Sequence, residues 1–259
     1  MVAMEDRKII NEDAVISTDG MSLVRDENGL SLSWNGMVLR GDFTEMIPRI
    51  LPGRLESELI VRASGILKNK GESPLAIDAT AGLGEDALLL AAAGFRVMLY
   101  ERDEIVFALL DDAVKRALAL PDDDDYSLLK SAVSRMEIIN EDSITAINEM
   151  AQRLSANDTS TDANSAPTAD SYISRRPDVI FLDPMFPERK KSSLVGKKLQ
   201  MLQQIEKPCE NEEEMLNAAF ALCPKRIIIK RPPKGPYLGG IKPTFSFSGK
   251  SVRIDCIVL

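Results

Sequence analysis

Histidine is absent from all 259 residues. That removes Ser-His and Cys-His nucleophile pairs and the usual imidazole metal sites, so any chemistry here must work without imidazole. Cysteine is scarce. Cys209, Cys223 and Cys256 are an odd number, widely spaced, with no C-x-x-C. That pattern fits free thiols in a reducing compartment better than a disulfide frame or a zinc site. Long apolar runs are missing too: none approaches the roughly 20 residues that a membrane helix needs. The opening "MVAMEDRKIINEDAV" has no apolar stretch behind a basic start, so no secretory signal is read. The expectation is a cytoplasmic protein with no membrane partner and no metal.

What is present is ordinary for a soluble globular chain, with 44% hydrophobic and 28% charged residues. The length suits one large domain or a core domain with a small accessory part. Net charge is −8, which by itself argues against a polyanionic partner. The distribution says otherwise. From Asp183 to the end there are 14 basic and 8 acidic residues, against 18 and 32 before it. A polyanion could be met by the later part while the rest of the surface stays acidic.

The first 12 residues read as a frayed tail. Met21–Phe43 alternates apolar and polar residues around Asn28-Gly29 and Asn35-Gly36, which predicts a small antiparallel meander. Leu55–Gly71 has helical spacing with Gly71 as its stop. From Pro74 the rhythm changes to short apolar runs alternating with amphipathic segments. This implies βαβ units and a mostly parallel sheet covered on both faces, an α/β fold. Phe245–Leu259 reads as a closing antiparallel hairpin. The expected division is an N-terminal β/α extension over 1–71 and a ligand-binding domain over 72–259. Within it, Pro121–Tyr126 is expected to be an acidic turn. Ser155–Ser174, polar and rich in small residues, is expected to be a disordered loop.

Chemistry concentrates at strand ends. "LAIDATAGLGEDALLLAAAG" puts Asp78 at the end of the first parallel strand and Gly82 and Gly84 in the turn to a helix. Ligands of open α/β sheets lie beyond such ends, and glycine lets backbone approach them. The loop is not G-x-G-x-x-G, and a carboxylate just before it would repel a pyrophosphate. S-adenosylmethionine, with an ammonium and a sulfonium but no phosphate, suits it better. Glu101 ends the second strand, where an acid can hold ribose hydroxyls; NAD and S-adenosylmethionine both carry that ribose. Asp142 and Ser143 follow the third strand, where an adenine amino group could bind.

The fourth strand runs into "VIFLDPMFPERKK". Asp183-Pro184-Met185-Phe186 resembles the (Asp/Asn)-Pro-Pro-(Tyr/Phe) loop of amino-group methyltransferases, with Met185 in place of the second proline. An exocyclic base amine is a poor nucleophile because its lone pair is delocalised. The Asp183 carboxylate and Pro184 carbonyl can accept its two N–H bonds and favour a pyramidal nitrogen, and Phe186 can stack on the base. Pro184 and Pro187 stiffen the loop. No base is needed before transfer, which suits a chain without histidine. Behind it come Arg189, Lys190, Lys191, Lys197 and Lys198, and then "KRIIIKRPPKG" with Lys225, Arg226, Lys230, Arg231 and Lys234, all candidates for RNA phosphates.

Taken together, "DATAGLGEDA", "ERDEIVFALLDDA", "FLDPMFPERKKSSLV" and "KRIIIKRP" resemble the bacterial small-subunit ribosomal RNA guanine-N2 methyltransferases of the RsmJ type, over about Ala76–Pro232. The resemblance implies a Rossmann-like class I methyltransferase core and a small N-terminal part. It also implies S-adenosylmethionine as cofactor and N2-methylation of a guanine in 16S ribosomal RNA or the small subunit. It places Glu85, Asp86, Glu101, Arg102, Asp142, Ser143 and Asp183 on cofactor positions, with Glu85 acting through its backbone where a basic residue is expected. Arg49 and Arg54 are looser candidates for RNA contacts. Three alternatives remain open from the residues: a DNA adenine or cytosine amino-methyltransferase, a dinucleotide-dependent oxidoreductase, and an RNA-binding protein without activity.

Overall fold

The computed structural model describes residues 17–18, 20–66, 74–157, 175–184 and 211–259. The meander is there. Strands β1 (Ser17–Thr18), β2 (Met21–Asp26), β3 (Gly29–Trp34) and β4 (Met37–Leu39) form an antiparallel sheet in chain order. Asn35 and Gly36 both take positive φ, 48° and 73°, as a two-residue hairpin turn between right-twisted strands requires.

The second sheet has seven strands: β5 (Leu75–Asp78), β6 (Arg96–Tyr100), β7 (Met136–Ile139), β8 (Val179–Leu182), β9 (Arg226–Arg231), β10 (Phe245–Ser248) and β11 (Arg253–Val258). Their order is β10-β11-β9-β8-β5-β6-β7. β5 to β9 pair in parallel, and β11 is antiparallel to both of its neighbours. The closing hairpin forms as expected, but its second strand lies inside, between β9 and β10. Its composition explains the place. Ile254 to Ile257 are buried in succession, which suits a strand paired on both edges, whereas β10 alternates half-buried and exposed residues like an edge strand.

Seven α-helices are described: α1 (Ile47–Ile50), α2 (Leu59–Ser64), α3 (Glu85–Ala92), α4 (Glu104–Leu118), α5 (Asp124–Val133), α6 (Ser143–Asn157) and α7 (Glu212–Ala221). α2, α3, α4 and α5 pack over one face of the large sheet, while α6 and α7 cover the other. Both faces are therefore dry, and β5 and β8 are buried at every position, which is why they read as unbroken apolar runs.

Three expectations need correcting. Where a helix is expected over Leu55–Gly71, the described residues form a 3₁₀ turn at Leu55–Ser57 followed by α2, which stops at Gly65 with φ 73°. A Cβ on Gly65 would lie 2.6 Å from Cζ of Arg226, so a tertiary contact sets that end; Gly71 lies outside the described residues. The acidic turn at Pro121–Tyr126 is mostly a helix start. Asp123 accepts from the Tyr126 amide and α5 begins at Asp124, where acids favour the helix N-terminus. Ser155–Asn157 belong to α6, and the rest of the loop read there lies outside the described residues.

The small sheet docks on α4. Leu23, Leu32 and Leu39 pack with Ile105, Val106 and Leu109, and with Leu83 of the glycine loop. At the centre is buried Asp112. Its carboxylate accepts from Nη1 of Arg25 at 2.6 Å, Nε of Arg116 at 2.7 Å and the Leu30 amide at 3.0 Å. Burial pushes its pKa up, but the bonds from Arg116, Leu30 and Arg25 outweigh it and the net shift is downward. Asp112→Ala strands two guanidinium groups and one amide. It should destabilise the fold by about 2–4 kcal/mol, read as a lowered Tm, with Asp112→Asn falling between the two.

Candidate active site

Strand order reverses at β5, which has β6 on one side and β8 on the other. The carboxyl ends of these strands flank the position where open α/β sheets take ligands. The glycine loop fills the edge. Gly84 donates to Ala81 O at 2.8 Å and Ala81 donates to Tyr100 O at 3.1 Å, so the loop is tied to the tip of β6. Its two glycines differ in role. A Cβ on Gly84 (φ 77°) would come within 2.8 Å of Leu110 and 3.2 Å of Phe43, so it serves packing. A Cβ on Gly82 (φ 53°) would meet nothing within 4 Å. Its backbone borders open space, as a surface for a ligand must.

Asp78 is 1% exposed. Its Oδ1 accepts from the Thr80 amide at 3.0 Å, a local turn that aspartate favours. The Thr80 hydroxyl in turn accepts from the Asp183 amide at 2.7 Å, latching the tip of β8 to the glycine loop. Reasoning from sequence missed Thr80; the Asp-x-Thr spacing was the available signal. Asp183 turns its carboxylate inward, where Nζ of Lys230 lies 2.9 Å from it and 2.5 Å from Asp86 in the first turn of α3. Asp86 and Asp183 are thus bridged by one ammonium, and Asp78 lies near enough to feel the charge of all three.

Charge in this cluster follows from burial. Burial pushes the Asp78 carboxyl up to about 8, assisted by Asp86 and Asp183 and opposed by its bond from the Thr80 amide and by Lys230. Burial also raises Asp183, against the pull of Lys230. Lys230 is drawn the other way: burial would lower it, but Asp86 and Asp183 hold it protonated. Asp78 therefore holds its proton more tightly than an ordinary carboxyl group, beside Asp86 and Asp183, which are bridged by one ammonium.

Glu101 is buried at the end of β6. Its Oε2 accepts from the Gly82 amide at 2.9 Å and its Oε1 from the Asp103 amide at 2.8 Å. Burial raises its pKa to about 6 despite those two bonds. Asn140, unremarked in the sequence, donates to Glu101 O at 2.8 Å and fixes that tip. Asp142 accepts from the amide and hydroxyl of Thr145, both at 3.0 Å, and so caps α6, with Arg102 3.9 Å from its other oxygen. Ser143 is buried beside it, Glu85 is exposed at the start of α3, and Pro184 is buried.

The basic residues divide in a way the sequence did not disclose. Side chains alternate faces along β9. Ile228 packs with the α3 side and Lys230 reaches Asp86 there. Ile227 and Ile229 pack with the α7 side, and Arg231, 2% exposed, bonds to Glu212 there. Neither fits the expected phosphate contact: Lys230 is held by two carboxylates and Arg231 is inside the protein. Lys225 precedes β9 and Arg226 begins it, at the end of the strand away from the site, and they bind Asp178 and Ala63 O respectively. Arg49 pairs with Glu58, and Arg54 is exposed. Phe186, Arg189, Lys190, Lys191, Lys197 and Lys198 lie outside the described residues, as do Met185 and Pro187.

Comparison with known proteins decides the family. The family model for SAM-dependent methyltransferases matches residues 11–258. The chain belongs to that family. A protein of Cellvibrio japonicus named ribosomal RNA small subunit methyltransferase J is 37% identical over 90% of this chain and 81% of its own length. A protein of the same name from Acinetobacter baumannii is 33% identical over 91% and 77%. A crystallised SAM-dependent methyltransferase from Neisseria gonorrhoeae superposes with TM-score 0.64 at 25% identity, covering 92% of this chain and 83% of that one. The α/β methyltransferase core expected from the sequence is the fold observed, and the oxidoreductase alternative is not favoured.

The residues present suit S-adenosylmethionine, the family's cofactor. Two carboxyl groups on a single ammonium, with the Asp78 carboxyl close by, favour a ligand bearing positive charge, and the loop beside Gly82 is open to receive one. A cation there would favour ionised Asp78, so binding should release a proton and tighten as pH rises from about 6.5 to 8.5. Calorimetry in buffers of different ionisation enthalpy reads that release. Stability runs the other way. The Asp78 pKa is about 8 in the fold against an ordinary 3.8, so its contribution is complete below about pH 4 and is lost as pH climbs through 8. Asp78→Asn should therefore raise Tm at pH 8, by about 2–4 °C per kcal/mol gained, with the gain vanishing towards pH 4. The same variant should flatten the pH dependence of cofactor affinity.

Proposed function

We propose that this chain transfers the methyl group of S-adenosylmethionine to the exocyclic N2 of a guanine in 16S ribosomal RNA. One observation carries the reading. Asp183, next to Pro184, is latched by its backbone amide to Thr80 of the glycine loop and by its carboxylate, through Lys230, to the first turn of α3. An acceptor for amine hydrogens and the strand tip expected to hold the methyl donor are thereby fixed to one another.

S-adenosylmethionine supplies an electrophilic methyl group on its sulfonium. Asp78, Gly82, Glu101, Asp142 and Ser143 would hold it along the carboxyl ends of β5, β6 and β7. Asp183 accepts one N–H of the target amine, and the Pro184 carbonyl would accept the other. Two such bonds bias the nitrogen towards a pyramidal shape with its lone pair free, which is preorganisation rather than proton removal. Lys230, 2.9 Å from the Asp183 carboxylate, opposes the upward push that burial gives its pKa. A guanine within a helix must first be turned out, or already be single-stranded. The ribosomal RNA substrate is supported by the names of the relatives, an exocyclic amine as acceptor by the Asp-Pro-Met-Phe loop, and guanine N2 by the sequence resemblance alone.

Asp183→Ala should lower methyl transfer to unmethylated 16S ribosomal RNA or small subunits by about 10²-fold or more, while affinity for S-adenosylhomocysteine changes little. Nucleoside mass spectrometry should find N2-methylguanosine as the product. Undiminished transfer by the variant, or a methyl group on another nucleoside or on DNA, would overturn the assignment.

A further inference from the structure

The segment after β9, "PPKGPYLGGIKPT" (Pro232–Thr244), has the composition of a slack loop, yet it is pinned along its length. Buried Arg231 donates Nε to Pro236 O at 2.9 Å while Glu212 holds its Nη1. Arg253 donates Nη1 to Gly235 O at 3.0 Å and Pro233 O at 3.2 Å. It is itself held by buried Asp255 through two bonds of 2.8 Å. Gly235 closes a turn on Pro232 O at 2.9 Å, and Leu238 is buried in the core on the α7 side. Two arginines and a core leucine thus order a stretch that has no regular strand or long helix.

What that order presents is specific. Tyr237 is 40% exposed, with the Arg253 guanidinium 5.0 Å from its ring centroid as backing. Ile241 is also 40% exposed, and Lys234 and Lys242 are exposed. The segment contains no acidic residue, although the chain as a whole is acidic. It leaves the carboxyl end of β9, whose parallel partner β8 ends one residue before Asp183.

We propose that Pro232–Thr244 is a platform for single-stranded RNA flanking the target nucleotide. Tyr237 stacks on one base, and Lys234 and Lys242 contact phosphates on either side. This rests on the RNA substrate of the preceding reading and adds the surface that holds it. A rigid aromatic on an ordered loop takes a base at little entropic cost, and stacking tolerates any base. The lysines contribute affinity without sequence choice.

The test measures binding of a labelled single-stranded RNA of about 12 nucleotides across a salt series, together with methyl transfer to unmethylated 16S ribosomal RNA. Tyr237→Ala should weaken RNA binding about 5- to 100-fold and raise KM for RNA, whereas Tyr237→Phe should stay near wild type. The pair Lys234→Glu and Lys242→Glu should weaken binding and reduce the slope of log K against log salt by about 1.4. These lysines make no part of the loop's internal bonding, so the pair reads the surface even where Tyr237→Ala loosens the loop. Affinity for S-adenosylhomocysteine should be unchanged throughout. RNA binding and salt slope unaltered in both variants would overturn the platform while leaving methyl transfer by the wild type intact. Absence of methyl transfer by the wild type, with these binding losses present, would instead sink the enzymatic reading and leave the platform standing.

Discussion

One ammonium among three carboxyl groups organises the functional edge of this protein. Asp78, Asp86 and Asp183 come from β5, α3 and the end of β8, and like charges so placed repel strongly at low dielectric. The arrangement holds because Lys230 bridges two of them and Asp78 keeps its proton. Lys230 therefore does more than neutralise charge. It joins the helix behind the glycine loop to the strand that carries the proposed amine acceptor. An added cation changes the balance at once, which gives the site an electrostatic response to a charged ligand built from its own titrating group.

The rest of the molecule holds that edge still. Leu83 in the glycine loop packs with Leu23, Leu32 and Leu39, so the small N-terminal sheet also backs the loop. Gly84 lies against Phe43 and Leu110 with no room for a side chain. Asp112 binds the same sheet to α4 through two arginines. On the far side, Arg231 and Arg253 order the segment after β9 by bonding its carbonyls. Rigid support on both flanks suits chemistry that depends on placement more than on proton transfer.

Much was legible in the amino-acid sequence because burial on both faces leaves a plain signature. Strands β5, β6, β8 and β9 are apolar runs ending on charge, and the alternation with amphipathic helices implied parallel pairing. Other elements were not legible. α2 stops at Gly65 because Arg226 occupies the space beside it, a contact 161 residues away in the chain. The run of aspartates before Tyr126 looked like a solvated turn, because a cap and an acidic coil share a composition. α7, with three glutamates in its first turn, went unread.

Sequence alone therefore settled the class of fold, the glycine loop and the acid at each strand tip, since these follow from periodicity and from residue types at chain-local positions. Tertiary structure alone decided which charges face the site. Lys230 and Arg231 are neighbours in a basic run, yet the two-residue repeat of a strand sends one to Asp86 and the other to Glu212, on opposite faces of the sheet. A strand's period was readable in advance. What lay on each side of it depended on helices from distant parts of the chain, and no local pattern records that.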